Sequence, residues 1–227
     1  MRILRLALAL AMLMVVAACA SPKRLPVALS PKAVDATAGR IGLMLVLPEK
    51  PDTYFPGASC LLCLATANLM HSSLNAYTAT LSKAEVLEIK TSLMDVLKDK
   101  KLEVIELPDA SNLEAFSNLN EPQKSPRDFS TLKSRFQIER LMIVHIEQLG
   151  FERNFKAYVP QGLPSATVQG QSYIVNLSSN ALEWYLPFSV KKVTNKNWDE
   201  PPSFPGLTNA YFQAIEAARK TIVTPLQ

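Results

Sequence analysis

The stretch RIGLMLVL, residues 40–47, is a continuous apolar run that follows Gly39 and is closed by Pro48. A run of this length, bounded by glycine and proline, is typical of a strand buried on both faces. Such strands lie at the centre of sheets whose two faces are covered. The sequence therefore predicts that this segment is the central strand of a covered sheet.

Helical patterns follow this strand. After a loop with proline and glycine, the sequence predicts one helix over about residues 59–80 and a second that opens at Ser82. The spacing from Ser82 to Glu85 is that of a capping box, in which each side chain satisfies a free backbone amide of the other. Apolar residues at intervals of three and four then mark one face of the second helix: Val86, Ile89, Leu93 and Leu97.

Two more strands complete a parallel pattern. The sequence predicts strands at residues 103–107, EVIEL, and 141–149, LMIVHIEQL, with a helix over about 128–139 between them. Strands that alternate with helices are typical of right-handed crossovers and a parallel sheet.

The pattern changes after residue 150. Residues 166–177 and 181–193 are rich in β-branched and aromatic side chains and are separated by a three-residue polar turn, which predicts an antiparallel hairpin. Pro187 indicates an edge or bulge position, because proline cannot donate to a sheet. A last helix is predicted over 207–224. We therefore expect a single α/β domain over 40–227, with a mixed sheet of about five strands and helices packed on it.

The amino terminus indicates export. Arg2 and Arg5 flank the start of an apolar stretch that is too short to span a membrane, as in a secretory signal. Its end, Val16-Ala17-Ala18-Cys19, resembles the lipobox of bacterial lipoproteins, in which the cysteine is acylated and becomes the first mature residue. The alternative is an ordinary cleaved signal with a chance cysteine. The resemblance implies a signal peptide over 1–18 and lipidation of Cys19.

Lipidation sets the expected location. Several acyl chains on Cys19 anchor a protein stably, whereas a single chain does not. Ala20, rather than Asp, follows the cysteine, and in this signal class that implies sorting to the outer membrane, with the body on the periplasmic face. Residues 19–39 carry prolines, charges and small residues without a sustained period, so we expect a flexible tether there.

Charge argues against nucleic-acid partners. Arg2 and Arg5 account for two of the 24 basic residues, so 22 remain against 20 acidic residues after removal of the signal. The mature chain is nearly neutral and has no basic run with interleaved aromatics.

Cys60 and Cys63 are the cysteines that remain, in FPGASCLLCLATANLM, residues 55–70. An even pair in an exported protein favours a structural disulfide, since residues three apart on a helix are close enough to be joined. Buried free thiols among the leucines are a second possibility, and a catalytic C-x-x-C of thioredoxin type is a third. Zinc is disfavoured, because only His71 and His145 could complete the ligands.

Other candidate residues are few. His145 and Glu147 share one face of a strand, and we interpret them as its solvent-facing end rather than as a metal or acid–base pair. The sequence has no nucleophile elbow, P-loop or dinucleotide fingerprint, so we expect no enzyme, no cofactor and no metal. In the proline-rich loop 195–206, Trp198 and Phe204 are candidate partner contacts; the alternative is that they fold back onto the domain.

The order of elements supports a family resemblance. The lipobox, the strand in GRIGLMLVLP, the helix before EVIEL, and the hairpin YIVNLSSNALEW before a final helix resemble a small α/β domain of Gram-negative envelope lipoproteins. These include the curli-secretion lipoprotein, lipoprotein activators of peptidoglycan synthases and auxiliary lipoproteins of ABC-type transporters. The resemblance implies a non-enzymatic accessory or scaffold protein with an envelope protein partner. The alternative is an envelope thiol-redox protein that uses Cys60 and Cys63.

Overall fold

A six-stranded mixed sheet forms the centre of the molecule. The computed structural model of the chain describes residues 24–194 and 197–227. In chain order its strands and α-helices are β1 (Ile41–Val46), β2 (Asp52–Tyr54), α1 (Leu61–Met70), α2 (Ser72–Thr78), α3 (Ala84–Asp99), β3 (Val104–Glu106), α4 (Ser130–Phe136), β4 (Arg140–Lys156), β5 (Val159–Asn176), β6 (Ala181–Val193) and α5 (Pro205–Val223).

Strand β1 is central, as its sequence predicts. All six of its residues are buried, and it pairs in parallel with β3 on one side and β4 on the other. Beyond β4 the sheet continues with antiparallel β5 and β6, so the strand order is β3-β1-β4-β5-β6, and the short β2 pairs with β4. The predictions of a parallel first part, a terminal hairpin and an edge position for Pro187 are confirmed.

Strands β4 and β5 are longer than predicted. They continue as a paired ribbon to a turn at Ala157 and Tyr158, where Lys156 pairs with Val159. The sequence of this ribbon contains Pro160, Gly162 and Pro164, which usually signal turns. Here cross-strand pairing outweighs these local signals, because strand formation depends on the neighbouring strand more than on the intrinsic preference of single residues.

Both faces of the sheet are covered. Helices α3 and α5 pack on one face, and α3 contributes the four predicted apolar residues Val86, Ile89, Leu93 and Leu97, all fully buried. The other face is covered by α4 and the irregular segment 107–129, which contribute Leu107, Leu113, Phe129 and Leu132. This two-sided cover explains why β1 carries no polar residue.

The helical predictions need three corrections. The helix predicted over 59–80 is interrupted at His71, which separates α1 from α2. The capping box does not form as predicted: Ser82 Oγ accepts from the amide of Ala84, 3.0 Å away, but Glu85 Oε2 has no partner among the described residues. The helix predicted over 128–139 is the shorter α4, because Gln137 adopts a left-handed conformation that ends it.

The described part of the predicted tether is folded. Residues 24–39 run along the domain, and Val27 exchanges backbone hydrogen bonds of 3.0 Å with Tyr185 at the outer edge of β6. Ala33 and Ala38 are buried in the main core. An edge strand offers unpaired backbone groups, and this segment satisfies some of them, which is why it packs despite its proline-rich sequence.

Candidate functional site

Helix α1 exposes most of its apolar side chains. Only Cys63 and Ala67 are buried, against Phe55, Ala58 and Phe155 in a small cluster. Leu61 is 90% exposed, Leu62 71% and Leu69 77%. We call the exposed apolar side chains of this helix the α1 surface: Leu61, Leu62, Leu64, Leu69 and Met70.

The α1 surface lies in a segment without charges. No Asp, Glu, Lys or Arg occurs in the thirty residues from Thr53 to Ser82. A helix that is apolar on all sides is normally buried, and a contiguous exposed apolar patch usually marks an interaction site. The α1 surface therefore has the character of an interface rather than of a solvated surface.

The disulfide lies at the start of this helix. The structure joins Sγ of Cys60 and Cys63, whose Cα atoms are 5.0 Å apart. Cys60 caps the helix, since its Sγ accepts from the amide of Cys63 at 2.9 Å, and the hydroxyl of Tyr158 is 3.7 Å from the same sulfur. That this bond forms in the natively purified protein stays a prediction.

The surroundings of the disulfide differ from those expected. The leucine-rich sequence suggested a buried site, as free thiols would need, but Cys60 is exposed and only Cys63 is buried. The reason is the direction of the helix face: Cys63 and Ala67, four residues apart, point to the domain, so Leu61, Leu62 and Leu64 point away. One sulfur is accessible and the other is covered.

The aromatic residues of loop 195–206 fold back onto the domain. Phe204 is 1% exposed and belongs to the main core, so its prediction as a partner contact is wrong. Trp198 is half-buried, with its ring centroid 5.8 Å from that of His71 and 5.3 Å from Cζ of Arg153. Aromatic rings are buried readily when the domain offers apolar or cationic neighbours, as here.

His71 is part of the support of α1. It follows the last residue of the helix and its ring stacks on Phe55 with centroids 5.6 Å apart. Burial, followed by the positive charge of Arg153, lowers the pKa of His71, and Asp199 opposes the shift. The histidine is therefore neutral near pH 7 and acts as an aromatic packing residue.

A second candidate site is a cavity of about 420 Å³, which we call the polar pocket. It is lined by residues of segment 111–126 together with Arg24, Arg127, His145 and Gln171. Its position follows from the sheet: His145 pairs with Val46, the last residue of β1, so the pocket lies at the carboxyl end of the parallel strands.

Two arginines hold the wall of the polar pocket. Arg24 donates from Nε to the carbonyl of Lys124 at 3.2 Å and from Nη2 to that of Leu119 at 2.7 Å. Arg127 donates from Nη1 to the carbonyl of Phe116 at 3.0 Å. Both side chains are half-buried and line the pocket. They connect the irregular segment to the pocket and bring two positive charges to it.

His145 belongs to this pocket rather than to open solvent. Its Nδ1 is 3.9 Å from Glu147 Oε1, beyond hydrogen-bonding distance, and has no hydrogen-bond partner among the described residues. Burial lowers the pKa of His145, although Glu147 opposes the shift. Its placement at the solvent-facing end of a strand was therefore only half correct: the strand continues to Lys156, and segment 111–126 partly covers the histidine.

The sequence alone predicted neither the α1 surface nor the polar pocket. Arg24 and Arg127 are far apart in sequence, and no local pattern connects them. The α1 surface had a signal, the charge-free run from Thr53 to Ser82, but no contact surface was predicted from it.

Three further observations complete the site description. Cys19, the signal over 1–18 and Ala20 lie outside the described residues. Within residues 24–194 and 197–227, no three His, Cys, Asp or Glu side chains converge as a metal site would require. Among the helices described there, none has the length and apolar character needed to cross a membrane.

The chain was compared with known proteins. No family profile matches the sequence, and no curated protein matches it. Among solved structures, the PelC dodecamer from Paraburkholderia phytofirmans is 12% identical over 89% of this chain and 95% of that chain, with a TM-score of 0.40. Protein XCC0632 from Xanthomonas campestris is 12% identical over 89% and 90%, with a TM-score of 0.37.

A bacterial lipoprotein is among these structures. Lipoprotein GNA1162 from Neisseria meningitidis is 14% identical over 78% of this chain and 99% of that chain, with a TM-score of 0.28. At this degree of similarity, none of these structures bears on the activity of the chain.

Proposed function

We propose that this protein is a lipid-anchored envelope lipoprotein that serves as a non-enzymatic accessory or scaffold of a cell-envelope complex, and that the complex contacts it through the α1 surface. The anchor is acylated Cys19, and the expected location is the periplasmic face of the outer membrane. The exposed, charge-free α1 surface is the observation that carries the proposal.

The α1 surface suits a protein partner for physical reasons. Exposed leucines at the centre of an interface contribute by leaving water, and neighbouring charges would have to be desolvated, which opposes binding. Here no charge lies between Thr53 and Ser82. The helix is also held in place from below, because Cys63 and Ala67 pack on Phe55 and Phe155, so docking needs little reordering.

Site-specific photo-crosslinking in the native envelope tests this role. A photoreactive residue at Leu62 or Leu69 is expected to yield a crosslink to the same envelope protein. The matched control is Leu87, an exposed leucine of α3 that is 44% accessible and outside the α1 surface. Crosslinks of equal yield at Leu87, or none at Leu62 and Leu69, would contradict the proposal.

The anchor is tested separately. Cys19→Ser removes the acylated sulfur, so the variant is expected to lose its acyl label and to leave the membrane fraction, because the acyl chains supply the stable attachment. Retention of both label and membrane association would show that the lipobox assignment is wrong.

A second function, thiol–disulfide exchange, is favoured by one observation. Cys60 is exposed at the amino end of α1 while Cys63 is buried. Helix amino termini stabilise thiolates, and an accessible first cysteine with a covered second one is the arrangement that exchange requires. An insulin-reduction assay separates the two functions. Activity that disappears in Cys60→Ser would support thiol–disulfide exchange and contradict the non-enzymatic role, whereas absence of activity would support the non-enzymatic role.

A further inference from the structure

We propose that the polar pocket binds a small molecule through a carboxylate or phosphate group, an activity that goes beyond the accessory role. The inference starts from charge. In the described part of the chain, neither Arg24 nor Arg127 has a carboxylate within 4.0 Å. By contrast, Arg140 lies 2.5 Å from Glu183 and Arg219 lies 2.7 Å from Glu216.

Two half-buried arginines in one cavity favour an anionic ligand. Partly buried charges are normally paired, because losing water without gaining a partner is costly. The carbonyls that Arg24 and Arg127 contact are neutral and form no ion pair with the two guanidinium groups. Arg24 Nη1 and Arg127 Nε and Nη2 remain as donors, and guanidinium groups match the geometry of carboxylate and phosphate oxygens.

The position of the pocket also favours a ligand. The connection from β1 to β3 runs through α3 on one face of the sheet, whereas the connection from β3 to β4 runs through segment 107–129 and α4 on the other. Connections that leave on opposite faces open a crevice at the carboxyl ends of the strands, where ligands of parallel sheets usually bind. The register of Val46 with His145 places the polar pocket at that end.

The remaining lining limits what can bind. Glu114 also lines the pocket, and Glu147 lies beside the lining residues His145 and Gln171. The two arginines therefore have two carboxylates near them at the edge of the pocket, which suits a ligand of low negative charge. The unpartnered Nδ1 of His145 and the amides of Asn112, Asn118 and Gln171 can exchange hydrogen bonds with ligand hydroxyls. A volume of about 420 Å³ is within the range of small-molecule sites.

Calorimetric titration of the detergent-solubilised full chain tests the inference. The probes are glucuronate and glucose 6-phosphate, which carry different oxyanions on similar rings, inorganic phosphate, and neutral glucose. Binding of at least one of the three anions, with glucose bound much more weakly, is expected. Equal binding of glucose, or no binding of any anion at millimolar concentration, would overturn the inference.

Two variants locate the site. Asn112→Asp adds a negative charge to the lining and can still accept the hydrogen bond that Asn112 Oδ1 receives from the amide of Glu114 at 3.0 Å. Arg127→Gln removes a guanidinium. Each is expected to weaken anion binding by roughly tenfold or more, as for loss of a charged hydrogen bond. Arg135→Gln is the control, because Arg135 is an exposed arginine of α4 that does not line the pocket.

The variants also separate folding from binding. Arg127→Gln loses the contact to the carbonyl of Phe116 and can loosen the wall, so its thermal melt is recorded first. If that variant is unfolded, Asn112→Asp carries the test alone. Anion binding that survives unchanged in a folded Asn112→Asp protein would place the anion elsewhere and overturn the assignment.

Discussion

Helices α1 and α5 are both rich in apolar residues, yet the domain buries the apolar side chains of α5 and leaves most of those of α1 exposed. Helix α5 buries Leu207, Tyr211, Ile215 and Ile222 along one side, and its charged residues Glu216, Arg219 and Lys220 lie elsewhere on the helix. Helix α1 has no charged residue and buries only Cys63 and Ala67. The comparison teaches that apolar side chains of a helix are buried only where the fold provides a surface to receive them.

The reason lies in the space that the sheet offers. Helices α3 and α5 already cover one face, and segment 107–129 with α4 covers the other. Helix α1 instead packs near the far end of the β4–β5 ribbon, where Phe55 and Phe155 provide a small apolar support. That support is too small to cover the whole circumference of α1, so its leucines remain exposed.

Of the variants that compare the two helices, truncation of a core side chain in α5 should give the largest effect. Ile215 is buried between the helix and the sheet, and Ile215→Ala leaves a cavity, so we expect a loss of about 2–5 kcal/mol in the free energy of unfolding. Denaturant titration measures it. The control is Leu61→Ala in α1, where the side chain is 90% exposed and the change should be within about 0.5 kcal/mol. Equal losses would abolish the distinction between the helices.

The next effect concerns the backbone that starts α1. Gly57 has φ +85°, and a Cβ there would overlap the carbonyl oxygen of Phe155. Gly57→Ala should therefore destabilise the protein by about 2 kcal/mol or more, since strain and overlap add. Gly162→Ala is the matched control: φ is +61°, but no atom lies within 4 Å of the added Cβ. If Gly162→Ala lowered the free energy of unfolding as much as Gly57→Ala, the positive φ alone would explain the loss, and the overlap with the carbonyl of Phe155 would not contribute.

Most of the sheet could be predicted from sequence because its strands have strong local signals. The run RIGLMLVL, the apolar spacing in α3 and the hairpin around Asn180 each specify an element without knowledge of distant residues, and all three predictions are confirmed. The continuation of β4 and β5 past Gly150 could not be predicted, because its evidence is the pairing of residues that local turn signals conceal.

The candidate sites were harder to predict for the same reason. Phe204 was a candidate partner contact but is buried, whereas Leu62, for which the sequence predicted no role, is exposed. Burial depends on whether another element has already covered the position, which is a property of the whole fold. The polar pocket depends on Arg24 and His145, which only the packing of segment 24–39 and β4 brings together.

Removal of the disulfide should have a smaller effect. The loop that Cys60 and Cys63 close is short, so Cys60→Ser with Cys63→Ser is expected to cost at most about 2 kcal/mol and to leave the fold intact. Thermal melts measure the cost, and alkylation before and after reduction, followed by mass spectrometry, shows whether the bond exists. Two thiols labelled before reduction would mean that no bond forms. Failure to fold would mean that the pair does more than fix the start of α1.

Acidification should weaken the protein gradually. Burial lowers the pKa of both His71 and His145, so the unfolded chain binds protons more readily than the folded one as pH falls below the ordinary histidine value of about 6.5. Stability is then lost with falling pH, at most about 1.4 kcal/mol per pH unit for each histidine. Denaturant titration between pH 7 and 5 measures the slope, which His71→Gln should reduce. An unchanged slope would mean that the pKa of His71 is not lowered in the folded protein.

The smallest effect on stability is expected at the α1 surface itself. Leu62→Ser with Leu69→Ser replaces two exposed apolar side chains, so the free energy of unfolding should change by no more than about 0.5 kcal/mol per site. Solution behaviour should change more: the variant should bind less of a hydrophobic dye and lose the envelope crosslink predicted for α1. Leu45→Ser, in the fully covered β1, is the contrasting control and should unfold the domain. If the α1 double variant were destabilised as strongly as Leu45→Ser, its leucines would have to be buried within the protein itself. Helix α1 would then pack in the core as α5 does.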